Sequence, residues 1–134
     1  MKRYRISDLG PVDAEHVAEA VVPGRYIHHG GLSFHPVGWR THSEGDHMHD
    51  SHEVFVILQG RGELELDGQR QQVAAGDVLV IEPGEEHYLI GDPAHPIINL
   101  WFHCADERHP DQQGDEPCAT GARAAGPAVC RRRQ

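Results

Sequence analysis

The stretch His47-Met48-His49-Asp50-Ser51-His52-Glu53-Val54-Phe55-Val56-Ile57-Leu58-Gln59-Gly60 decides how this chain is read. From His52 to Leu58 it is dense in aromatic and β-branched residues and then meets Gly60, the pattern of a strand closed by a turn. In an extended chain successive side chains leave on opposite faces. His47, His49 and Glu53 then share one face with Phe55 and Ile57, while His52, Val54, Val56 and Leu58 share the other. Two imidazoles and a carboxylate converging on one side offer nitrogen and oxygen donors suited to a borderline divalent ion such as Zn, Mn, Fe or Ni. Three groups on one strand cannot surround an ion, so a fourth must come from elsewhere. His87 is placed for it, opening a strand directly after the Pro83-Gly84 turn.

Downstream, nearly every break carries turn chemistry. Gln59-Gly60-Arg61-Gly62 is a turn, Glu63 to Leu66 alternates with period two, and Asp67-Gly68 is a strong hairpin signal. A returning strand runs from Gln69 to Val73, a buried one from Val78 to Ile81, and two more over His87 to Ile90 and Ile97 to His103. Strands in this order suggest an antiparallel meander. Upstream, Arg25 to His29 and Leu32 to Val37 add two strands, and Asp13 to Val21 fits either a short helix or an extended arm. The fold class expected is all-β, a sandwich or barrel of the jelly-roll kind. The boundaries are an N-terminal arm over 1–24, the barrel over 25–104 and a tail over 105–134. From Ala105 onward Val129 is the only aliphatic residue larger than alanine, so a disordered, flexible tail is expected there.

At 134 residues the chain holds one core. No apolar run approaches the roughly 18 residues of a membrane span, and the start Met1-Lys2-Arg3-Tyr4-Arg5 has no apolar signal core. The expectation is a cytoplasmic protein with no membrane partner. A formal charge of -9 argues against nucleic acid as a partner. Between Thr41 and Asp92 there are twelve Asp or Glu against two Arg, so this centre favours a cation, although most of these acids read as solvated turns and strand edges. Cys104, Cys118 and Cys130 form no metal-type pair and suggest no disulfide scaffold.

Residues 47–60 resemble the first motif of the cupin superfamily: His-x-His, three residues, Glu, six residues, Gly. Residues 76–91 resemble the second: Gly, five residues, Pro, one residue, Gly, two residues, His. The intervening Arg61 to Ala75 matches the usual hairpin between them. The resemblance covers roughly residues 30 to 103 and points to a small single-domain, RmlC-like cupin. It implies that His47, His49, Glu53 and His87 stand in the places of the family's metal ligands. The sequence departs from the pattern at Thr41, where a glycine is usual, at Glu82, where proline is usual, and at Gly91, often Asn.

Four protein ligands leave coordination sites open, so the expected role is a metal-dependent enzyme acting on a small polar metabolite, with dioxygenase, isomerase or lyase chemistry all compatible. The alternative is a non-catalytic module that binds or senses a sugar-like small molecule. Phe55 and Ile57 are expected to line the pocket. Asn99, Trp101 and His103 form one face of the last strand, which lines the pocket if it points inward and caps an interface if outward. Tyr88, Arg40 and His35 are further candidates, with His35, His103 or Tyr88 supplying a base. Val54, Val56 and Leu58 make the outer face apolar, to be covered by a second copy in a homodimer or by the chain's own N-terminal arm.

Overall fold

Period-two alternation along the chain becomes two antiparallel sheets with the apolar residues of their inner faces between them. The structure is a computed structural model, and it describes residues 1–9, 21–35, 40–41 and 47–112. The strands are β1 (Lys2–Arg5), β2 (Tyr26–His35), β3 (His52–Gln59), β4 (Arg61–Leu66), β5 (Gln69–Ala74), β6 (Asp77–Ile81), β7 (His87–Gly91) and β8 (Ile97–Ala105). The larger sheet has the order β1-β6-β3-β8-β2 and the smaller β5-β4-β7. This is an all-β jelly-roll architecture. Among the described residues no helix is long and apolar enough to cross a membrane.

The chain is not the meander that strand order alone suggests. β3 pairs with β6 and β8, whereas β4, the next strand in sequence, crosses to the smaller sheet. Gly60 makes the crossing possible: its φ is 81°, and a Cβ there would stand 2.1 Å from the Pro96 carbonyl oxygen. The Asp67-Gly68 hairpin forms as expected, with both residues at positive φ. Arg25 to His29 and Leu32 to Val37, read as two strands, give one strand over Tyr26–His35 with a register shift between Ile27 and His29, and residues 36–37 lie outside the described residues. Gly30 does not break it but admits close packing, since a Cβ there would lie 2.6 Å from Cβ of Phe102.

The arm expected over 1–24 contributes a strand that its charged sequence conceals. β1 joins the edge of β6 because Arg3 and Arg5 both reach the fully buried Asp77 carboxylate, at 2.7 and 2.9 Å, which also accepts the Ala74 N–H at 2.8 Å. Asp13 to Val21 lies outside the described residues except for Val21, which packs with Tyr4 on the outer face of β3 and β6. At the other end β8 runs on to Ala105, and 106–112 return onto β2, with His28 bonding the Glu107 carbonyl at 2.7 Å. The rest of the expected tail, 113–134, lies outside the described residues.

The inner core joins Phe55, Ile57, Leu64, Leu79, Leu89 and Ile97, among others, from both sheets. Each such side chain contributes about 1.5–3 kcal/mol when taken fully from water. Ile57, Leu64, Leu79 and Ile97 stand off the cavity and close one end of the barrel, whereas Phe55 and Leu89 reach the cavity wall. Toward the other end the inner face turns polar, and there the candidate site sits.

Candidate metal centre and its cavity

Two backbone contacts fasten the His47–His49 segment to the turn before β7. The Gly84 N–H donates to the His49 carbonyl at 2.9 Å and the His87 N–H to the His47 carbonyl at 3.2 Å. Glu53 enters from the first full turn of alternation in β3, paired in register with Ile81 on one side and His103 on the other. His47, His49, Glu53 and His87 are thereby brought together, each offering one donor atom within 4.8 Å of the others.

The donor atoms of the group lie close together. Nε2 of His47 and Nε2 of His49 face each other at 3.0 Å. Glu53 Oε2 lies 2.7 Å from His87 Nε2, 3.2 Å from His49 Nε2 and 3.9 Å from His47 Nε2. Nδ1–H of His87 donates to the Glu85 carbonyl at 2.8 Å, which turns Nε2 into the cluster. With metal–ligand bonds of roughly 2.0–2.2 Å, donors around one ion lie about 3 to 4.4 Å apart, and the observed set is close to that span. Three imidazole nitrogens and one carboxylate oxygen could therefore hold a divalent ion, whose identity the donors do not fix.

Electrostatics agree with the geometry. Burial pushes the Glu53 carboxyl upward, but the hydrogen bond and charge of His87, with His103 and His49 nearby, outweigh it and leave Glu53 below its usual range. His103 is pushed down to about 4, first by burial, against the attraction of Glu53 and with help from His49, His29 and His87. It is therefore a neutral imidazole near pH 7. Its Nε2 stands 3.6 Å from Glu53 Oε1, its Nδ1 3.1 Å from Ser51 Oγ, and its ring stacks on that of His29 at 4.3 Å between centroids.

The centre opens onto a cavity of about 560 Å³ between the sheets. Of the residues expected at its wall, Phe55, Asn99, Trp101, His103 and His35 are there, so the polar-aromatic face of β8 points inward. Two others are elsewhere. Ile57 points inward but packs in the hydrophobic core at the closed end. Tyr88 takes the opposite parity to His87 and turns out of the barrel, where the Arg40 guanidinium lies 3.2 Å over its ring and Glu86 accepts its hydroxyl proton at 2.5 Å. That bond to Glu86, then burial, raises the Tyr88 pKa above 10, which removes it as a base. Arg40 also pairs with Glu65 at 2.9 Å. His52 points away from the ligands as its parity requires, and bonds Glu82 at 2.9 Å, giving the residue in the usual proline place a partner.

His29, Ser33, Thr41 and Leu89 line the cavity without having been anticipated. Period two over a continuous 29–35 strand identifies the first two together with His35, but dividing that stretch at Gly30-Gly31 hides the pattern. Thr41 could not be placed from sequence at all. Its hydroxyl accepts the Leu89 N–H at 3.0 Å and its own N–H bonds the Leu89 carbonyl at 3.1 Å, fixing the departure from glycine against β7.

Comparison with known proteins converges on one family. The model of the cupin domain matches residues 36–102, half of the chain. A cupin protein of Bacteroides fragilis is similar in structure, with a TM-score of 0.51 and 25% identity over 62% of this chain and 72% of that one. A predicted oxalate decarboxylase from Thermotoga maritima shares the fold, at a TM-score of 0.51 and 24% identity over 59% of this chain and 67% of that one. An uncharacterized protein of Aquifex aeolicus is 38% identical over 47 residues, which span 34% of this chain and 39% of that protein.

Proposed function

The chain belongs to the cupin family, and from that premise we propose that it is a metal-dependent enzyme acting on a small polar metabolite at a centre held by His47, His49, Glu53 and His87. The observation that carries this is the convergence of those four donors, from two separated segments, at the wall of a cavity large enough for a small molecule. A bound divalent ion would supply Lewis-acid polarisation of a substrate oxygen, or dioxygen chemistry if it were iron. His103 is the base. It is neutral, it lies beside Glu53, and Ser51 orients its ring, so Nε2 is positioned to accept a proton from a substrate seated in the cavity. Phe55, Leu89 and Trp101 line the cavity and would limit water around that proton.

Metal analysis of protein purified without chelator or a nickel column tests the reading. About one equivalent of a first-row ion, lost in His49→Ala with the far-ultraviolet β signal kept, is the expected result. Unchanged metal in that variant overturns the ligand assignment. A substrate screen then separates an enzyme from a module that binds without turnover.

We also propose a homodimer through the outer face of the larger sheet. Tyr4 and Val21 cover the outer face only near β6 and the start of β3. Leu32, Phe34 and Leu58 remain 68, 58 and 53% exposed on β2 and β3, an apolar row that a second copy would bury.

A further inference from the structure

The inner face of the larger sheet is built in rungs, and the rungs differ in chemistry. Register places Glu53, His103 and His29 side by side across β3, β8 and β2. The next inward-facing rung is Phe55, Trp101 and Gly31, and the one after it Ile57, Asn99 and Ser33. The first is the rim of the metal centre. The second is aromatic, and Gly31 supplies no side chain opposite Trp101, whose indole lies 3.4 Å from where a Cβ would stand. The third is polar on β8 and β2, where Asn99 and Ser33 both line the cavity.

Asn99 is the unexplained group. It is 2% exposed, and its Oδ1 has no hydrogen-bond partner among the described residues. Neighbours that could have served are engaged elsewhere: Ser33 Oγ is 2.9 Å from His35 Nε2 and 3.5 Å from the Asn99 main-chain oxygen, not its side chain. A buried amide left open in a cavity wall is costly unless something else bonds it. No Lys or Arg is among the described lining residues, so the described wall offers no Lys or Arg to pair with an anion at this end. A hydroxyl fits, because it donates and accepts and so serves the amide in either orientation about its last torsion.

We propose that the cavity takes an elongated hydroxylated ligand: an oxygen-bearing head at the His47, His49, Glu53 and His87 centre, an apolar or planar middle against Phe55 and Trp101, and a hydroxyl at Asn99 and Ser33. The head rests on the metal reading above; the hydroxyl subsite stands on Asn99. The first and third rungs are four residues apart along β8, about 13 Å at the rise of a strand. A molecule the size of a two-carbon acid would reach one rung only, whereas a ring carrying groups at both ends reaches toward both.

The test uses the full-length chain loaded with Zn²⁺, and in parallel the zinc-free chain, in a Trp39→Phe background that leaves Trp101 the sole tryptophan. Probes are three pairs of increasing length: 4-hydroxybenzoate with benzoate, 3-(4-hydroxyphenyl)propanoate with 3-phenylpropanoate, and 4-hydroxycinnamate with cinnamate. Binding is followed by the nuclear magnetic resonance shift of the Trp101 indole N–H. In at least one pair the hydroxylated probe binds about tenfold more tightly than its parent, the size of one good hydrogen bond. Asn99→Leu removes that preference, so that each hydroxylated probe and its parent then bind equally. Equal affinities within all three pairs, or a preference that survives Asn99→Leu, overturn the proposal. If Asn99→Leu fails to fold, the paired affinities of the unsubstituted chain decide the matter. Zinc binding without a hydroxyl preference sinks the subsite alone, and a hydroxyl preference without zinc binding sinks the metal reading alone.

Discussion

β3 presents two faces that share a backbone and differ in everything else. Inward it carries Glu53, Phe55 and Ile57, running from a buried carboxylate to closed apolar core. Outward it carries His52, Val54, Val56 and Leu58, beginning with a histidine hydrogen-bonded to Glu82 and ending in a leucine that is more than half exposed. The inner face buries a charge and surrounds it with imidazoles. The outer face is apolar from Val54 onward and depends on what the N-terminal segment covers. Alternation tells which residues share a face, and the neighbouring strands decide whether that face becomes a site or a seam.

The largest effect is expected on the inner face. His87→Ala removes a donor and leaves Glu53 without its closest partner. Metal affinity should fall by more than the roughly 10- to 100-fold typical of losing a partner that only orients a ligand. Calorimetric titration with Zn²⁺ checks this, and an affinity within threefold of the unsubstituted chain would remove His87 from the centre.

The outer face is broken next by releasing β1. Asp77 is fully buried and binds Arg3, Arg5 and the Ala74 N–H. Asp77→Ala leaves the two arginines free to turn to water, so the loss is smaller than for a stranded buried charge, about 2 kcal/mol. Urea unfolding should show it. If stability is unchanged, β1 does not hold the cover over Val54 and Val80.

Acid should separate the faces again. In metal-free protein His103 is depressed to about 4 from an ordinary 6.5. The unfolded chain then binds more protons than the folded one between those values, so stability present above pH 6.5 is lost as pH falls toward 4. Glu53, also depressed, acts with the same sign at the acid end of that window. The expected loss is about 1–2 kcal/mol, below the full linkage value because water reaches the cavity. His103→Gln should flatten the slope between pH 6.5 and 4, and an unaltered slope would assign the acid sensitivity elsewhere.

Much of this was legible in the sequence because the informative residues are local. His47, His49 and Glu53 share parity within seven positions, and the Pro83-Gly84 turn announces His87. Long-range pairing was not legible: nothing local says that β3 lies between β6 and β8, or that Lys2–Arg5 is a strand whose partner is Asp77. Tyr88 shows a subtler limit. It adjoins the candidate ligand His87 in sequence, and for that reason a strand turns it to the opposite face.

The smallest effect on the monomer belongs to the uncovered part of the outer face. Phe34 and Leu58 are more than half exposed, so Phe34→Glu together with Leu58→Lys should change monomer stability by only about 0.5 kcal/mol. Assembly is a different matter, since two charges placed on the apolar row would have to be desolvated in any isologous contact. Light scattering across a dilution series should find a dimer for the unsubstituted chain and a monomer for the double variant, with zinc content equal in both. A monomer in both would mean that the row is left to water, and a dimer in both would move the contact to another surface. Equal zinc content in either case would establish that the two faces of β3 act independently.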